Sequence, residues 1–399
     1  QLNNTGNGNR TWASSGIIDI NQNFSPGTGT HTVTGSTVRF SATTGTFSLV
    51  NFTSSAAPRH YNNIIFNGGG TWTPNGITLG AAGTVNVTSG TLVVSFGAST
   101  TLNVDGTFTI DGGTLNMASG ALGAVLNLFG DFTISSGNFV KTSTGTSSIN
   151  FVKSTGVQNI SQSGGSITNA GGGTTTWNIG TSTTNTVTLL SNISIPATTV
   201  IVTNGATLNF GNFTFSGTHA FTVNNGGTVV FGASGLLNNT GAFTITNGAT
   251  LITANTNGIA ATGGASGSVQ SSGTRAFNSG VNYTYNAAAD GITGTGLIGA
   301  STLRIATSAG ARITLSKPVL TFVTVSTTVD LTSGILILGS NVDLQLNNAA
   351  TFSGSPWSTA NMIVTPGTGR VAGSGRIIKV FPNGPQSNLT FTYPLGDII

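Results

Sequence analysis

The 399-residue sequence predicts an all-β fold: a single-stranded parallel β-helix, or β-solenoid, with about 20 to 24 residues in each coil. Three observations predict this fold. A strand–turn–strand pattern returns at near-constant spacing, apolar residues alternate within each strand, and no segment has a convincing helical period. We expect a right-handed coil, because connections between parallel strands of one sheet are right-handed.

The pattern is clearest in two arrays of three units. Units of the first array begin at Thr84, Thr107 and Asp131, at nearly equal intervals, and read TVNVTSGTLVV, TFTIDGGTLNM and DFTISSGNFVK. Units of the second array cover residues 200–210, 221–231 and 243–253 and read VIVTNGATLNF, FTVNNGGTVVF and FTITNGATLIT. A further unit covers residues 329–337. Alternating apolar residues within the units, such as Val85 and Val87, predict half-buried strands.

The Ser-Gly and Asn-Gly pairs between the strands predict tight corners, because glycine adopts a positive φ at little steric cost. An Asn-Gly pair flanked by alternating apolar residues is also typical of a β-hairpin. The near-constant spacing favours the solenoid, since each coil must return to the same position for its strands to stack on those of the next coil. At this period the chain would form about 18 coils.

A longer period overlies the short one, because the key glycines Gly90, Gly205 and Gly334 recur at two much larger and similar intervals. We infer three successive arrays from it. The resulting domain interpretation is N-terminal capping coils at 1–60, a β-helix at 61–355 in the arrays 61–175, 176–300 and 301–355, and a C-terminal coil with the boundary to a following domain at 356–399. Polar stretches at 141–175 and 255–300 separate the arrays, and the second is expected to hold lateral loops.

Ionisable groups are scarce in this chain. Only 5% of residues are charged, the eight acids are all Asp, Lys and Arg total 12, and there is no Cys. The net charge of +4 is too thinly spread to form the dense basic surface that binds nucleic acid. No apolar stretch approaches the length that spans a bilayer, so we expect no membrane insertion. Disulfides and thiolate metal sites are excluded.

The best candidates for general acid–base catalysis are Asp105 and Asp111, which lie close together in the sequence of the first array. Both precede glycine, and Asp-Gly is a common turn dipeptide. No Lys or Arg lies closer to them in sequence than Lys141. The turn interpretation is therefore preferred, and no catalytic residue is assigned.

No cofactor-binding or metal site is predicted. His31, His60 and His219 are far apart and form no zinc-binding motif, and calcium-binding motifs of the nonapeptide and EF-hand types are absent. Surface or loop positions are the expected ones for these histidines. The glycine runs at 68–70 and 171–173 are interpreted as corners rather than phosphate-binding loops.

Aromatic and threonine side chains raise two alternatives for surface binding. Exposed aromatic rings could stack on sugars, and the candidates are Trp12, Trp72, Trp177, Trp357, Tyr61, Tyr283, Tyr285 and Tyr393. A regular Thr-x-Thr array could order water, as in ice-binding proteins. The pair Thr107/Thr109 aligns with Thr84/Asn86 and with Asp131/Thr133. This ladder is interrupted, so the high β-propensity of Thr explains its frequency.

A basic cluster, Arg370, Arg376 and Lys379, lies near the end of the sequence. We interpret it as charges that solvate an edge strand and deter end-to-end pairing of copies. The same cluster could instead mark the start of the next domain.

Three segments carry a resemblance to a known group: LTSGILILG at 331–339, SGSPWSTANMIVTPGTGRVAGSGRIIKVFPNG at 353–384, and LTFTYPLGD at 389–397. The chain resembles the large repetitive surface proteins that Bacteroidota export by the type IX secretion route. An N-terminal Gln, here Gln1, is usual in that group after signal cleavage. The resemblance implies an extracellular or surface-anchored part of a longer protein, with adhesin, stalk or sheath roles and with the type IX secretion machinery as its partner during export. It implies no catalytic residue.

The leading hypothesis is a non-enzymatic extracellular β-helix that serves as a rigid stalk or fibre segment of an adhesin-like cell-surface protein. Its expected partners are glycans, other copies of the fibre or cell-surface components, because an uncharged Thr, Ser and Asn surface suits hydrogen bonding. The alternative is a polysaccharide-binding module or a carbohydrate-active β-helix enzyme, with Asp105 and Asp111 or Asp330 and Asp343 as acids. A phage or autotransporter-like fibre, which would trimerise, is the third hypothesis.

Overall fold

The computed structural model describes residues 8–12, 14–74, 76–181, 184–196, 198–261, 266–308, 310–316, 322–339, 342–365, 375–384 and 390–396. Within these residues the protein is all-β with no helix, and its parallel strands stack as a β-solenoid of about 15 turns. The predicted fold class is confirmed. The number of turns is lower than the sequence repeats alone indicate because several coils are longer than those repeats.

The chain forms two compact units, each a stack of coils. Unit 1 comprises Gln1–Ile201 with Gly217–His219, and unit 2 comprises Val202–Ser216 with Ala220–Ile399. Arg370, Asp397 and Gln1 lie outside the described residues, as do parts of the segments at 353–384 and 389–397.

The bounds of the described strands up to residue 202 are β1 (Arg10–Thr11), β2 (Ile17–Ile20), β3 (His31–Thr32), β4 (Thr37–Phe40), β5 (Thr46–Ser48), β6 (Asn63–Phe66), β7 (Thr71–Thr73), β8 (Leu79–Ala81), β9 (Val85–Val87), β10 (Thr91–Ser95), β11 (Thr100–Val104), β12 (Phe108–Ala118), β13 (Ala124–Leu128), β14 (Phe132–Lys141), β15 (Ser147–Phe151), β16 (Val157–Gln162), β17 (Ser166–Asn169), β18 (Thr175–Ile179), β19 (Thr186–Leu189), β20 (Ile193–Ile195) and β21 (Thr199–Val202).

The strands of unit 1 pair in parallel with their equivalents one coil away, in three series. The first series is β2, β4, β6, β9, β12, β14, β16 and β19. The second is β5, β7 and β10, the later halves of β12 and β14, and β17. The third is β8, β11, β13, β15 and β18.

The bounds of the described strands beyond residue 202 are β22 (Thr207–Gly211), β23 (Thr214–Gly217), β24 (Ala220–Val223), β25 (Thr228–Phe231), β26 (Leu236–Asn239), β27 (Phe243–Ile245), β28 (Thr250–Thr253), β29 (Arg275–Phe277), β30 (Asn282–Tyr285), β31 (Gly291–Ile292), β32 (Gly299–Ala306), β33 (Arg312–Leu315), β34 (Phe322–Ser333), β35 (Ile335–Leu338), β36 (Asp343–Leu346), β37 (Thr351–Ser353), β38 (Ile363–Val364) and β39 (Ile377–Lys379).

Unit 2 repeats the same construction. Its longest series runs through β22, β25, β28, β30, β32, β34 and β37. Two other series run through β24, β27 and β29 and through β31, β33, β35 and β38. The first half of β34 also pairs with β36, which pairs with β39.

The strand register follows the predicted repeats in the first array. Phe108 pairs with Val85 on one side and with Phe132 on the other, so equivalent positions of the three units lie side by side. Thr114 likewise pairs with Thr91 and Asn138, and the glycines that precede these residues therefore lie in one stack. The repeats are coils of a solenoid and not hairpins.

The unit at 329–337 is displaced by one strand from the second array. Val229 lies in the second strand of its sequence unit, and its row continues through Leu251, Tyr283 and Leu303 to Val329. Val329, however, lies in the first strand of its own sequence unit. Gly334 therefore lies at a different corner of the coil from Gly226 and Gly248. A strand–glycine–strand pattern fits more than one corner because each corner needs the same tight turn.

Coil length varies more than the clear repeats indicate. Thr250 pairs with Asn282, and Phe132 pairs with Ile160, so both of these coils are longer than the units of the first array. In the coil that follows Thr250, the described residues between Thr253 and Arg275 contain no strand. The extra residues thus lie outside the paired strands, in the stretch where lateral loops were expected.

Inward side chains form continuous apolar rows along the stacks. In unit 1, Leu102, Leu126, Ile149 and Trp177 pair in turn and are at most 2% exposed. Burying a Leu or Ile side chain completely contributes about 1.5–3 kcal/mol. Such rows carry the apolar core from one coil to the next and stabilise the stack without disulfides.

Two corner glycines are required by their backbone conformation and by close stacking. Gly90 has a φ of +70°, and a Cβ there would lie 2.1 Å from the carbonyl oxygen of Gly68. Gly137 has a φ of +77°, and a Cβ there would lie 2.2 Å from the oxygen of Gly113. A side chain at either corner would collide with the neighbouring coil.

Candidate functional site

Four of the acids form ion pairs with arginines one or two coils away. The pairs are Asp19 with Arg39, Asp105 with Arg59 at 2.6 Å, Asp330 with Arg304 at 3.2 Å, and Asp343 with Arg376 at 2.7 Å. Hydrogen bonds from Arg39 and Ser41 lower the pKa of the Asp19 carboxyl. Each of these carboxylates has a positively charged neighbour that joins coils together.

Three further acids accept hydrogen bonds from uncharged groups. Asp111 accepts from the hydroxyls of Ser135 at 2.7 Å and Ser136 at 3.3 Å. Asp131 accepts from the backbone and side-chain nitrogens of Asn159 at 2.8 and 3.1 Å. Asp290 accepts from the backbone N–H of Arg312 at 2.9 Å. The eighth acid, Asp397, lies outside the described residues.

The acids proposed for a carbohydrate-active enzyme have different partners. Asp105 contacts Arg59, whereas Asp111 contacts serines of the next coil. Asp330 and Asp343 contact different arginines. Within the described part of the chain, no hydrogen bond or ion pair joins the members of either pair. No Lys or Arg is close to Asp105 in the sequence, but the fold brings Arg59 to it across two coils.

Four basic side chains cap backbone carbonyls. Lys379 makes the most of these hydrogen bonds. Its Nζ donates to the carbonyl oxygens of Asn347, Asn348 and Ala350 at 2.7, 2.7 and 2.8 Å. The others are Lys141 to Ser143, Lys153 to Val157, and Arg275 to Ser271 and Ala260. The accepting carbonyls lie in turns and loops, apart from that of Val157, which belongs to β16.

The predicted basic cluster is thus built into the last described coils. Arg376 holds Asp343 through its guanidinium and its backbone N–H, and Lys379 holds the turn that follows β36. Both contacts join β39 to the preceding coil. Arg370 lies outside the described residues.

Two of the three histidines, His31 in β3 and His219 in the loop between β23 and β24, are buried, so the expectation of surface positions was wrong for both, although His219 does lie in a loop. His31 is 2% exposed and accepts a hydrogen bond at Nδ1 from Trp12 Nε1 at 3.0 Å. His219 is fully buried, and burial lowers its pKa to about 4, partly opposed by a hydrogen bond with the backbone of Ile195. Burial also lowers the pKa of His60. No periodic pattern marked these positions as inward.

Most of the aromatic residues proposed to stack on sugars lie in the core. The buried ones are Trp12, Trp72, Trp177, Tyr61, Tyr283 and Tyr285. Burial raises the pKa of Tyr61 and Tyr283 well above the ordinary value. Of the eight, Trp357 is half-buried and Tyr393 is 39% exposed. A sugar platform built from the buried rings is excluded.

An asparagine ladder runs along the third series of unit 1. Nδ2 of Asn127 donates to Oδ1 of Asn103 at 2.9 Å, Asn150 donates in the same way to Asn127 at 2.7 Å, and Asn178 donates to Asn150 at 2.8 Å. The aligned tripeptides LNV, LNL, INF and WNI carry the signal for it. Comparison of the Gly-containing units alone missed it, because these tripeptides lie outside them.

Threonine rows differ between the strand series. Thr109 pairs with Asn86 and Thr133, so that ladder is interrupted as predicted. A different outward row in unit 2 consists of Thr207, Thr228, Thr250, Asn282, Thr302, Thr328 and Thr351. Its threonine hydroxyls make no hydrogen bond within the described residues. The row is an uncharged hydrogen-bonding surface.

Two grooves lie at the corners of the first coils of unit 1. One, of about 500 Å³, is lined by Asn21, Gln22, Asn23, Ala42, Thr43, Thr44 and Phe47. The other, of about 450 Å³, is lined by parts of 24–28 and 48–51 with Pro74 and Ile77. No ionisable side chain lines either groove.

Metal-binding side chains do not cluster in the part of the chain that the structure describes: no three His, Cys, Asp or Glu residues converge there. The described residues also contain no helix long and apolar enough to cross a membrane. No protein-family model matches this chain, and no curated protein is significantly similar to it.

Proposed function

We propose that this chain is a non-enzymatic structural segment of an extracellular, adhesin-like surface protein. The observation that carries the proposal is how its few charges are used. Seven of the eight aspartates form an ion pair or accept a hydrogen bond, and most of the described basic side chains pair with them or donate to backbone carbonyls. Groups that an enzyme would present to a substrate here hold neighbouring coils together.

The stacked construction supports a mechanical role. Within each unit, neighbouring coils are joined by parallel strand ladders and by rows of buried apolar side chains. Pulling a coil away requires several ladders to break together, since adjacent coils are paired through more than one strand. Location at the cell surface and export by the type IX route rest on the resemblance of the segments at 331–339, 353–384 and 389–397.

The decisive experiment measures turnover. The purified chain is incubated with neutral and acidic polysaccharides, and new reducing ends and unsaturated products are quantified over a day. We expect none above the background of a heat-denatured sample. Cleavage that disappears in Asp111→Asn or Asp343→Asn, with secondary structure retained, would overturn the proposal in favour of a carbohydrate-active enzyme.

A further inference from the structure

The groove lined by Asn21, Gln22 and Asn23 is the strongest unassigned site in unit 1. These three residues follow β2, and the other polar lining residues, Thr43 and Thr44, follow β4. Because Ile20 pairs with Phe40, the corners of two successive coils stack here. One coil contributes three carboxamides and the next contributes two hydroxyls.

The polar groups of this groove are available to a ligand. Asn21, Gln22, Asn23, Thr43 and Thr44 are all exposed. Within the described residues, none of their side chains forms a hydrogen bond. A carboxamide both donates and accepts, so it can bind adjacent hydroxyl groups of one ligand. Three consecutive free carboxamides therefore offer a dense set of donors and acceptors without charge.

Phe47 supplies the apolar part of the groove. Its ring packs against Trp72 with the centroids 4.7 Å apart and the planes 28° apart, and Trp72 is 1% exposed. The buried tryptophan fixes the ring position, while Phe47 itself is half-buried and lines the groove. An aromatic ring beside polar groups suits a ligand with an apolar face and a polar edge.

Charge defines the ligand further. No Asp, Lys, Arg or His lines this groove. The closest charged residues in sequence, Asp19 and Arg39, neutralise each other in an ion pair that Ser41 also joins. An acidic ligand such as a uronate or a sulfated chain would find no cation here, so the groove favours an uncharged one.

The second groove indicates a ligand longer than one residue. Its lining begins at Phe24 and Ser48, the residues that directly follow Asn23 and Phe47 of the first groove. Each groove is within the size range of small-molecule sites. A chain of several units would use both.

From these observations we infer that the corner groove of unit 1 binds a neutral polysaccharide. Carboxamides and threonine hydroxyls hydrogen-bond the sugar hydroxyls, and Phe47 packs against a sugar ring. The inference rests on the proposed surface function, because it names the class of partner that such a segment would hold.

The test is affinity electrophoresis in native gels that contain laminarin, glucomannan or dextran, with polygalacturonate as the acidic comparison. We expect retardation by at least one neutral polymer and none by polygalacturonate. The triple variant Asn21→Ala, Gln22→Ala, Asn23→Ala should weaken binding at least tenfold, and Phe47→Leu should do so while keeping an apolar contact with Trp72.

Matched controls separate the groove from a general effect of substitution. Asn238→Ala removes an exposed carboxamide elsewhere, and Phe96→Ala removes a ring that is 45% exposed outside the groove. Both should bind as the original chain does, and circular dichroism should show the same strand content throughout. Absence of binding to all neutral polymers, or unchanged binding by the triple variant, overturns the inference and leaves the structural proposal standing. Polymer cleavage would overturn the structural proposal, and the affinities of the triple variant and of Phe47→Leu would still show whether the groove binds polysaccharide.

Discussion

The guanidinium of Arg59 reaches across two coils to Asp105, with Nε and Nη2 donating to Oδ1 at 2.9 and 2.6 Å. Its Cζ lies 5.2 Å from the centre of the Phe129 ring, within cation–π distance. The side chain can follow this path because Gly80 lies beneath it: a Cβ at Gly80 would be 2.6 Å from Cδ of Arg59. One cation thus links residues of successive coils.

A side chain at Gly80 is expected to break this link. Gly80→Ala should displace Arg59 and lose the partly buried ion pair, which lowers the free energy of unfolding by about 1–2 kcal/mol. The free energy of unfolding is measured by urea titration, with tryptophan fluorescence as the signal. In an Arg59→Met background, Gly80→Ala should lower the free energy of unfolding clearly less, because no ion pair is left to lose. Gly8→Ala should leave stability unchanged, because no atom lies within 4 Å of the Cβ position there. Equal costs of Gly80→Ala in both backgrounds would contradict this account.

Substitutions in the asparagine ladder should lower the free energy of unfolding most near the centre of the ladder. Asn127 both donates to Asn103 and accepts from Asn150, so Asn127→Ala removes two hydrogen bonds and leaves Oδ1 of Asn103 without its donor and Nδ2 of Asn150 without its acceptor. We expect a loss of about 1–3 kcal/mol in the free energy of unfolding. Asn178→Ala removes only the bond to Asn150 and should cost less. Urea titration of the two variants beside Asn238→Ala gives the ranking, and the same stability for all three would show that the ladder adds nothing.

The sequence predicts the coil because the same strand–turn–strand pattern recurs in successive coils. Val85, Phe108 and Phe132 repeat at the spacing at which they pair, so in the first array the periodicity gives both the fold and the register, whereas the unit at 329–337 pairs one strand away from the position that its pattern indicates. Contacts such as that between Arg59 and Asp105 produce no periodic pattern in the sequence, since they depend on which side chains the stacked corners bring together. The candidate groove was missed for the same reason: Asn21 and Thr43 belong to irregular corners, and Phe47 alternates like a core residue.

Lys379 should be needed for the last described coils. Its three ammonium protons meet three carbonyl oxygens of the turn at 347–350, a geometry that a planar guanidinium does not reproduce. Lys379→Met should remove the ammonium donor from all three oxygens and speed amide hydrogen exchange in β36 and β39, with little change in β11 of unit 1. Lys379→Arg should restore only part of the protection. Exchange monitored by mass spectrometry tests both, and full protection in the Met variant would show the capping bonds to be dispensable.

Stability should fall between pH 7 and pH 4 because of buried His219. Its pKa is lowered from the ordinary 6.5 to about 4 by burial, so in this range the unfolded chain binds a proton that the folded chain does not. Stability therefore rises with pH through this window, and His219 accounts for on the order of 3 kcal/mol of the change. Asp19, whose pKa is lowered from 3.8, loses its contribution only at more acidic pH.

The variant His219→Phe keeps a ring in the buried position and removes the titration. Its unfolding midpoint should change much less between pH 7 and pH 4 than that of the original chain, although its stability at pH 7 is lower if the phenyl ring packs poorly. His60→Phe is the matched comparison, because His60 is only half-buried and should contribute a smaller pH dependence. A pH profile of His219→Phe that runs parallel to the original one would mean that His219 takes up its proton without leaving the folded core.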